Sequence, residues 1–385
     1  MYKNLLIAAL TISLFCVLCV KLDIVDYDLG FNHEYREGLL SDRIEAVNKS
    51  QTFNLINVLY EDNVFYYVEN QVAEGFGIVV DYINHKGGIA NKKVSLQTIK
   101  VKFNDEQAYL AEIQNSCSKK DIAVCVAPYG SALIPSVRTL TYFSGVPLIS
   151  PLTVKSEKLP KLDDDNFSSL FLPLNVWVSS YLKEIEGKNI KKLLIISPGS
   201  NTYGDIFSTA LERYNNQNNS FEWLFRINYN GALDDDLEYQ LKLHSRDYKF
   251  DAVFFAGKYK DFDVFKNILK QLQINIPIYT TDEILVQDIE NDNYEYGLYV
   301  PFYEIRLNVD DEFKEYWLKN KGKDIDTGGM LAYMLLDLVK KGVELNNNMY
   351  DPVKLVDYVN QNVDEIYSNT KNYEINFVKN NSKNK

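Results

Sequence analysis

The chain has 385 residues, of which 46% are hydrophobic and 24% charged. That is a globular composition, which excludes wholesale disorder and predicts two or three domains. Acidic residues outnumber basic ones by 53 to 41, a net charge of −12, so no nucleic-acid partner is expected. The three histidines, His33, His85 and His244, are scattered along the chain; with no second His or Cys at ligand spacing, no metal is expected. The 28 tyrosines accompany abundant Asn, Lys and Ile and are read as compositional drift rather than a sugar-stacking surface.

Lys3 precedes an apolar run over 5–20, interrupted by Thr11 and Ser13 and closed by Lys21 and Asp23. As a helix this run rises about 24 Å, short of a ~30 Å hydrocarbon core. Residues 1–20 are therefore read as a secretory signal or an N-terminal membrane anchor. Cys16 and Cys19 add a lipoprotein reading, with Phe15 and Leu18 where a small residue is expected. Each reading exports the rest of the chain, to a periplasmic or extracytoplasmic location. Disulfides are permitted there. Cys117 closes a predicted helix, and Cys125 lies about four residues up the following strand, ~13 Å from its start. That spacing disfavours a bridge, so two free thiols are expected, with Cys125 buried in the sheet.

Residues 21–52 carry mixed charge and are read as a linker or peripheral helix. From 53 onward, strands alternate with amphipathic helices. A strand over 53–60 leads to a helix over 67–84, with Val72, Phe76, Val79, Val80 and Ile83 on its apolar stripe. A strand over 93–101, a helix over 105–117, a strand over 122–127, a helix over 131–143 and a strand over 147–150 follow. This order predicts a doubly wound parallel sheet. The pattern then repeats past Pro173: helices over 175–185, 204–215, 233–243 and 262–272 alternate with strands over 192–197, 221–228, 252–256 and 277–280. After a strand over 298–301 come helices over 310–320, 329–341 and 352–360, then a strand over 373–378. The expected fold is α/β, with two doubly wound parallel-sheet lobes and a hinged cleft. Residues 53–173 and 302–370 would form lobe 1, and 174–301 and 371–380 lobe 2. Ligands in such sheets bind beyond the carboxyl ends of the strands, which places a site in the cleft.

Catalytic motifs are missing. Ser131, in Tyr129-Gly130-Ser131-Ala132, lacks the second glycine of a nucleophile elbow, and Ser200 fails the same pattern. No glycine-rich phosphate loop occurs. Asp163-Asp164-Asp165 and Asp234-Asp235-Asp236 are adjacent carboxylates rather than the alternating ligands of a calcium loop. An enzyme is not expected, nor is a cofactor.

Several segments resemble the type I periplasmic binding proteins, the solute receptors of branched-chain amino acid ABC transporters. Asp81-Tyr82-Ile83-Asn84-His85-Lys86-Gly87-Gly88-Ile89 is similar to that family's helix end, glycine pair and strand start. Segment 124–135 is similar to its strand, glycine and serine run. Val146-Pro147-Leu148-Ile149-Ser150-Pro151 resembles its valine-proline strand end. Segments 193–204, 250–257 and 372–380 resemble second-lobe strands, with Tyr373 where a glycine is usual. The order holds from about Phe53 to Val378.

The resemblance implies a function and a set of site residues. A leucine-binding-protein-like receptor would close on a small polar ligand, such as an amino acid, and present it to an ABC permease in the membrane. It would act as a monomer. Ser131, with Ala132 beside it, would meet the ligand's carboxylate. The helix N-terminus there favours an anion, and an ordinary cap is the alternative reading. Thr153 would be a second anchor, with Val154 as the rival position. Tyr203 and Tyr259 would cover the ligand in the second lobe, and Asp282, with Glu283 adjacent, would meet an ammonium group. Tyr60 would line the pocket, in an acidic Tyr60-Glu61-Asp62-Asn63 loop that departs from the family. The alternative function is an envelope interaction or regulatory protein on the same fold, with a degenerate cleft.

Overall fold

The computed structural model describes residues 33–61, 66–102, 105–127, 133–154, 166–199, 203–229, 235–247, 249–257, 259–282 and 297–379. They form two separate sheets. In the first, β1 (Thr52–Glu61) lies between β2 (Lys93–Lys102) and β3 (Ile122–Val126), and β4 (Leu148–Ser150) and β5 (Phe167–Ser169) extend the β3 side. Every pairing in it is parallel. The second sheet runs in the order β11 (Tyr373–Lys379), β10 (Leu298–Ile305), β9 (Ile278–Thr280), β8 (Ala252–Phe255), β6 (Lys192–Pro198), β7 (Trp223–Tyr229). It is parallel except for β11, which is antiparallel to β10. Inner strands such as Ile122–Val126 and Ala252–Phe255 are buried at every residue, as expected where helices cover both faces of a parallel sheet. Two doubly wound α/β sheets, one in each lobe, are the architecture the alternation predicts.

Helices fill the crossovers. α2 (Tyr66–His85), α3 (Glu106–Cys117) and α4 (Ile134–Ser144) serve the first sheet. α5 (Leu174–Glu186), α6 (Tyr203–Asn218), α7 (Asp235–Asp247) and α8 (Tyr259–Gln271) serve the second. The late helices are α9 (Asp311–Lys321), α10 (Thr327–Leu345) and α11 (Pro352–Ser368). α10 packs against α2 along a glycine seam, where a Cβ on Gly75 would stand 3.0 Å from the Gly329 Cα. One buried cluster, with Ile56, Tyr109, Ile113, Cys125 and Val137, fills the space between the first sheet and α3 and α4. Another, with Ile196, Leu241, Phe255 and Phe265, lies between the second sheet and α7 and α8. The largest joins the two lobes through Leu170, Phe171, Leu172, Trp177 and Tyr181. The crossings between lobes are tied by Tyr367 OH, which donates to the Leu170 carbonyl at 2.6 Å, and by the Arg306 N–H, which donates to the Asn372 carbonyl at 2.7 Å.

The structure adds elements that periodicity did not mark. β5 is only three residues long, with no apolar run to announce it. β10 continues to Ile305 and α11 to Ser368. Within 21–52, residues His33–Lys49 form the helix α1. It seats itself largely through polar contacts. Arg43 is only 2% exposed. It donates to Ser144 O at 2.8 and 3.1 Å, Lys119 O at 2.9 Å, Cys117 O at 2.7 Å and Ile122 O at 2.6 Å. One guanidinium thus satisfies carbonyls at the C-terminal ends of α3 and α4, where the helix dipole favours a cation. Arg36 lies 3.7 Å above the Tyr142 ring centroid, and Lys92 Nζ caps the end of α1 at Val47 O and Asn48 O, both 2.7 Å. Among the described residues, no helix is long and apolar enough to cross a membrane.

Replacing Arg43 by Met keeps the stem but orphans these carbonyls. We expect a loss of about 3 kcal/mol, read as a lower urea midpoint at unchanged slope.

Candidate functional site

The carboxyl ends of the second sheet gather the polar groups. β6 ends at Pro198, β8 at Phe255 and β9 at Thr280. The first turn of α6 lies tight against the end of β8, because a Cβ on Gly204 would stand 1.8 Å from the Ala256 carbonyl oxygen. Only glycine allows that approach. It fixes Tyr203, whose hydroxyl donates to Asp282 Oδ1 at 2.7 Å. Asp282 follows β9 by two residues and is half-buried. Burial raises its carboxyl from the ordinary 3.8 to about 6, opposed by the Tyr203 hydroxyl and a backbone N–H. Among the described residues it has no ion-pair partner.

Further tyrosines lie within electrostatic reach of this carboxyl. Tyr181 OH donates to the Thr280 carbonyl. Burial and, second, the charge of Asp282 hold the hydroxyls of Tyr181 and Tyr303 well above their ordinary value. Trp177 packs 6.4 Å from Tyr181 and 5.5 Å from Tyr303, centroid to centroid. Thr281 Oγ1, Trp177 Nε1 and Tyr303 OH are buried without a hydrogen-bond partner among the described residues. Two other acids of the second lobe are already satisfied. Asp205 is paired with Arg226 at 2.5 Å. Asp261 accepts from Tyr229 OH at 3.1 Å. Asp282 differs in meeting a hydroxyl and, among the described residues, no cation. Such a site is suited to an ammonium group, which supplies both charge and hydrogen-bond donors.

The sequence-predicted residues divide accordingly. Tyr203 and Asp282 meet. Tyr60, next to last in β1, is half-buried, its ring 4.5 Å from that of Tyr109. Thr153 and Val154 are both buried, at 0% and 1% exposure, and the Thr153 carbonyl accepts from Ser169 Oγ. Ser131, Ala132 and Glu283 lie outside the described residues, as does the side chain of Tyr259, which opens α8. A groove of about 580 Å³ beside the crossing, lined by Phe171, Val178, Ile206, Arg213 and Val363 among others, contains none of the predicted residues. Sequence reasoning missed Tyr181 and Tyr303. Tyr181 shares a helical stripe with Trp177 and Ile185 and reads as core. Tyr303 fell between two predicted elements. Among the described residues, no group of three or more His, Cys, Asp or Glu side chains is placed to hold a metal ion.

Two parallel-sheet lobes joined by short crossings, with polar groups at the strand mouths, are the fold of the type I periplasmic binding proteins. The chain is similar to an ABC transporter substrate-binding protein from Desulfitobacterium hafniense, solved in complex with Leu: 19% identity, TM-score 0.61, covering 79% of this chain and 88% of that one. It is similar to a periplasmic binding protein type 1 from Bordetella pertussis Tohama I, at 17% identity and TM-score 0.63, covering 80% and 88%. It is also similar to a fatty acid ABC transporter substrate-binding protein from Thermomonospora curvata, at 13% identity and TM-score 0.60, covering 80% of each chain. At these identities the likeness is one of fold. No protein-family model and no curated protein matches the chain.

Two outcomes test this geometry. Gly204→Ala forces the first turn of α6 off the Ala256 carbonyl and costs about 2 kcal/mol, measured by urea unfolding. The pH test follows from Asp282. Its folded value lies above its unfolded one, so protonation favours the folded state. That stabilisation is complete below the ordinary 3.8 and is lost as pH rises through about 6. Ligand-free protein therefore loses stability between those values, and Asp282→Asn shows a shallower loss and a higher melting temperature at neutral pH.

Proposed function

We propose that this chain is an extracytoplasmic solute-binding protein that captures an amino acid, or a similar ammonium-bearing solute, between its lobes and delivers it to an ABC permease. The observation that carries this reading is the half-buried Asp282 carboxyl, held by Tyr203 and unmatched by any cation among the described residues. Fold likeness alone does not select the ligand. The similar structures include one solved with Leu and one named for fatty acids. A fatty acid brings no positive charge to Asp282, whereas an amino acid does.

In this reading Tyr203 orients the Asp282 carboxylate, Tyr259 covers the bound solute, and Ser131 with Ala132 receives the opposite, anionic end. Tyr60 lines the first-lobe side. Thr153 is buried, so its part is to support the strand end behind the ligand. Residues 53–173 with 302–370, and 174–301 with 371–380, act as lobes 1 and 2 and close by a hinge at the crossings. Residues 1–20 serve as signal or anchor, 21–52 as the segment that follows it, and the receptor works as a monomer. It carries no catalytic role.

A thermal-shift screen of the purified protein against amino acids and small polar solutes tests the reading. A true ligand at 100 times its Kd adds about 2.7 kcal/mol of stability. Asp282→Asn is expected to weaken that ligand at least tenfold. The native protein should also lose affinity as pH drops below about 6, where the carboxyl takes up a proton. If no solute shifts the melting curve, the envelope interaction reading takes its place.

A further inference from the structure

Arg226, in β7, is largely buried, its side chain 10% exposed. In the parallel pairing it stands opposite Ile195 of β6, and its guanidinium spreads over five acceptors. Nη2 donates to Asp205 Oδ1 at 2.5 Å and to Ser197 Oγ at 3.0 Å. Nη1 donates to Thr209 Oγ1 and Glu212 Oε2, both at 3.1 Å, and Nε donates to Asn228 Oδ1 at 2.7 Å. Two of these acceptors flank the site. Ser197 is next to last in β6, six residues before Tyr203, and Asp205 lies two residues after it in the first turn of α6. One planar fork thus clasps both sides of the connection that carries Tyr203. Gly204 seats the same turn against the Ala256 carbonyl, and the Tyr203 ring meets that of Phe207 edge to face at 6.2 Å. From this turn, held on two sides, the Tyr203 hydroxyl reaches Asp282 at 2.7 Å.

We propose that Arg226 is a positioning residue for the solute site: by tying Asp205 to Ser197 it sets the first turn of α6 so that Tyr203 can hold Asp282. This deepens the amino-acid reading of the site and rests on it for its functional meaning. Among the described residues, the hydrogen-bond partners of Arg226 include neither Tyr203 nor Asp282, so it acts through the turn. The chemistry calls for arginine. Asp205 is 7% exposed, and a carboxylate buried that far needs a charged partner. Its place in the first turn of a helix favours the ionised form as well. A lysine would supply the charge as a single point, without the fixed fork that joins Asp205 to Ser197. The tolerance is small, because a slide of about 1 Å in the first turn takes the Tyr203 hydroxyl out of hydrogen-bonding range of Asp282.

The test uses no solute, so its failure and that of the solute screen are separate results. The Asp282 carboxyl is titrated by carbon NMR in the full chain labelled at the aspartate Cγ, its signal identified by its loss in Asp282→Asn. The titratable groups that face it among the described residues are the hydroxyls of Tyr203, Tyr181 and Tyr303, which stay neutral throughout. The native protein should titrate at about 6. Tyr203→Phe removes the hydroxyl that opposes the rise and should titrate about one unit higher. Arg226→Gln should move the midpoint in the same direction, and should move it no further in the Tyr203→Phe background. Arg226→Lys keeps a cation beside the buried acids and serves should Arg226→Gln fail to fold. It cannot span Ser197 and Asp205, so Asp282 should again titrate higher than in the native protein. Urea unfolding of each variant reads stability separately. A folded Arg226 variant that loses stability but keeps the native Asp282 midpoint overturns the proposal. So does a Tyr203→Phe midpoint equal to the native one, or a double variant whose shift is the sum of the two single shifts.

Discussion

The two sheets depend on one aromatic joint. Phe171, at the crossing out of the first sheet, stacks on Trp177 at 6.0 Å, and both meet Tyr303 edge to face at 5.3 and 5.5 Å. Each such pair is worth about 0.5–1.5 kcal/mol beyond the area it buries. The joint also couples the lobes to the mouth of the second sheet. Trp177 belongs to the same helix stripe as Tyr181, whose hydroxyl holds the Thr280 carbonyl at the end of β9. Two residues later the chain presents Asp282. The position of that carboxyl is therefore set from the core outward.

Electrostatics then distinguishes Asp282 from its neighbours. Arg226 neutralises Asp205 while also reaching Glu212, Thr209 and Ser197, and this closed network stabilises the edge of the sheet. Asp282 receives a hydroxyl, which is enough to hold its orientation but not to repay its burial. The glycine at 204 makes the arrangement possible, since any larger residue would push Tyr203 away with the first turn of α6.

Much of the fold was legible because parallel strands buried on both faces read as unbroken apolar runs, and helices such as Thr327–Leu345 carry a clear apolar stripe. Short strands escaped. Phe167–Ser169 has one apolar residue and owes its place to pairing with β4. The helix His33–Lys49 gave no stripe because it is seated by arginines. At the site, Tyr203 and Asp282 could each be picked out by position after a strand, but their hydrogen bond spans 79 residues of sequence and no local pattern encodes it. For the cysteines the expectation from spacing holds: Cys117 and Cys125 are both free and buried.

The way α1 is held has a consequence for its response to salt. Its neighbouring contact Lys120–Asp42 is an exposed pair of opposite charges, with side chains 59% and 53% accessible, and dissolved ions weaken pairs of that kind over a distance of about 8 Å at physiological strength. Among the described residues Arg43 makes no ion pair, and its hydrogen-bond partners are neutral. Its partners are carbonyl dipoles in an interior that mobile ions do not enter. The first helix therefore stays docked in dilute buffer and in concentrated brine alike, while the ion pairs around its rim come and go.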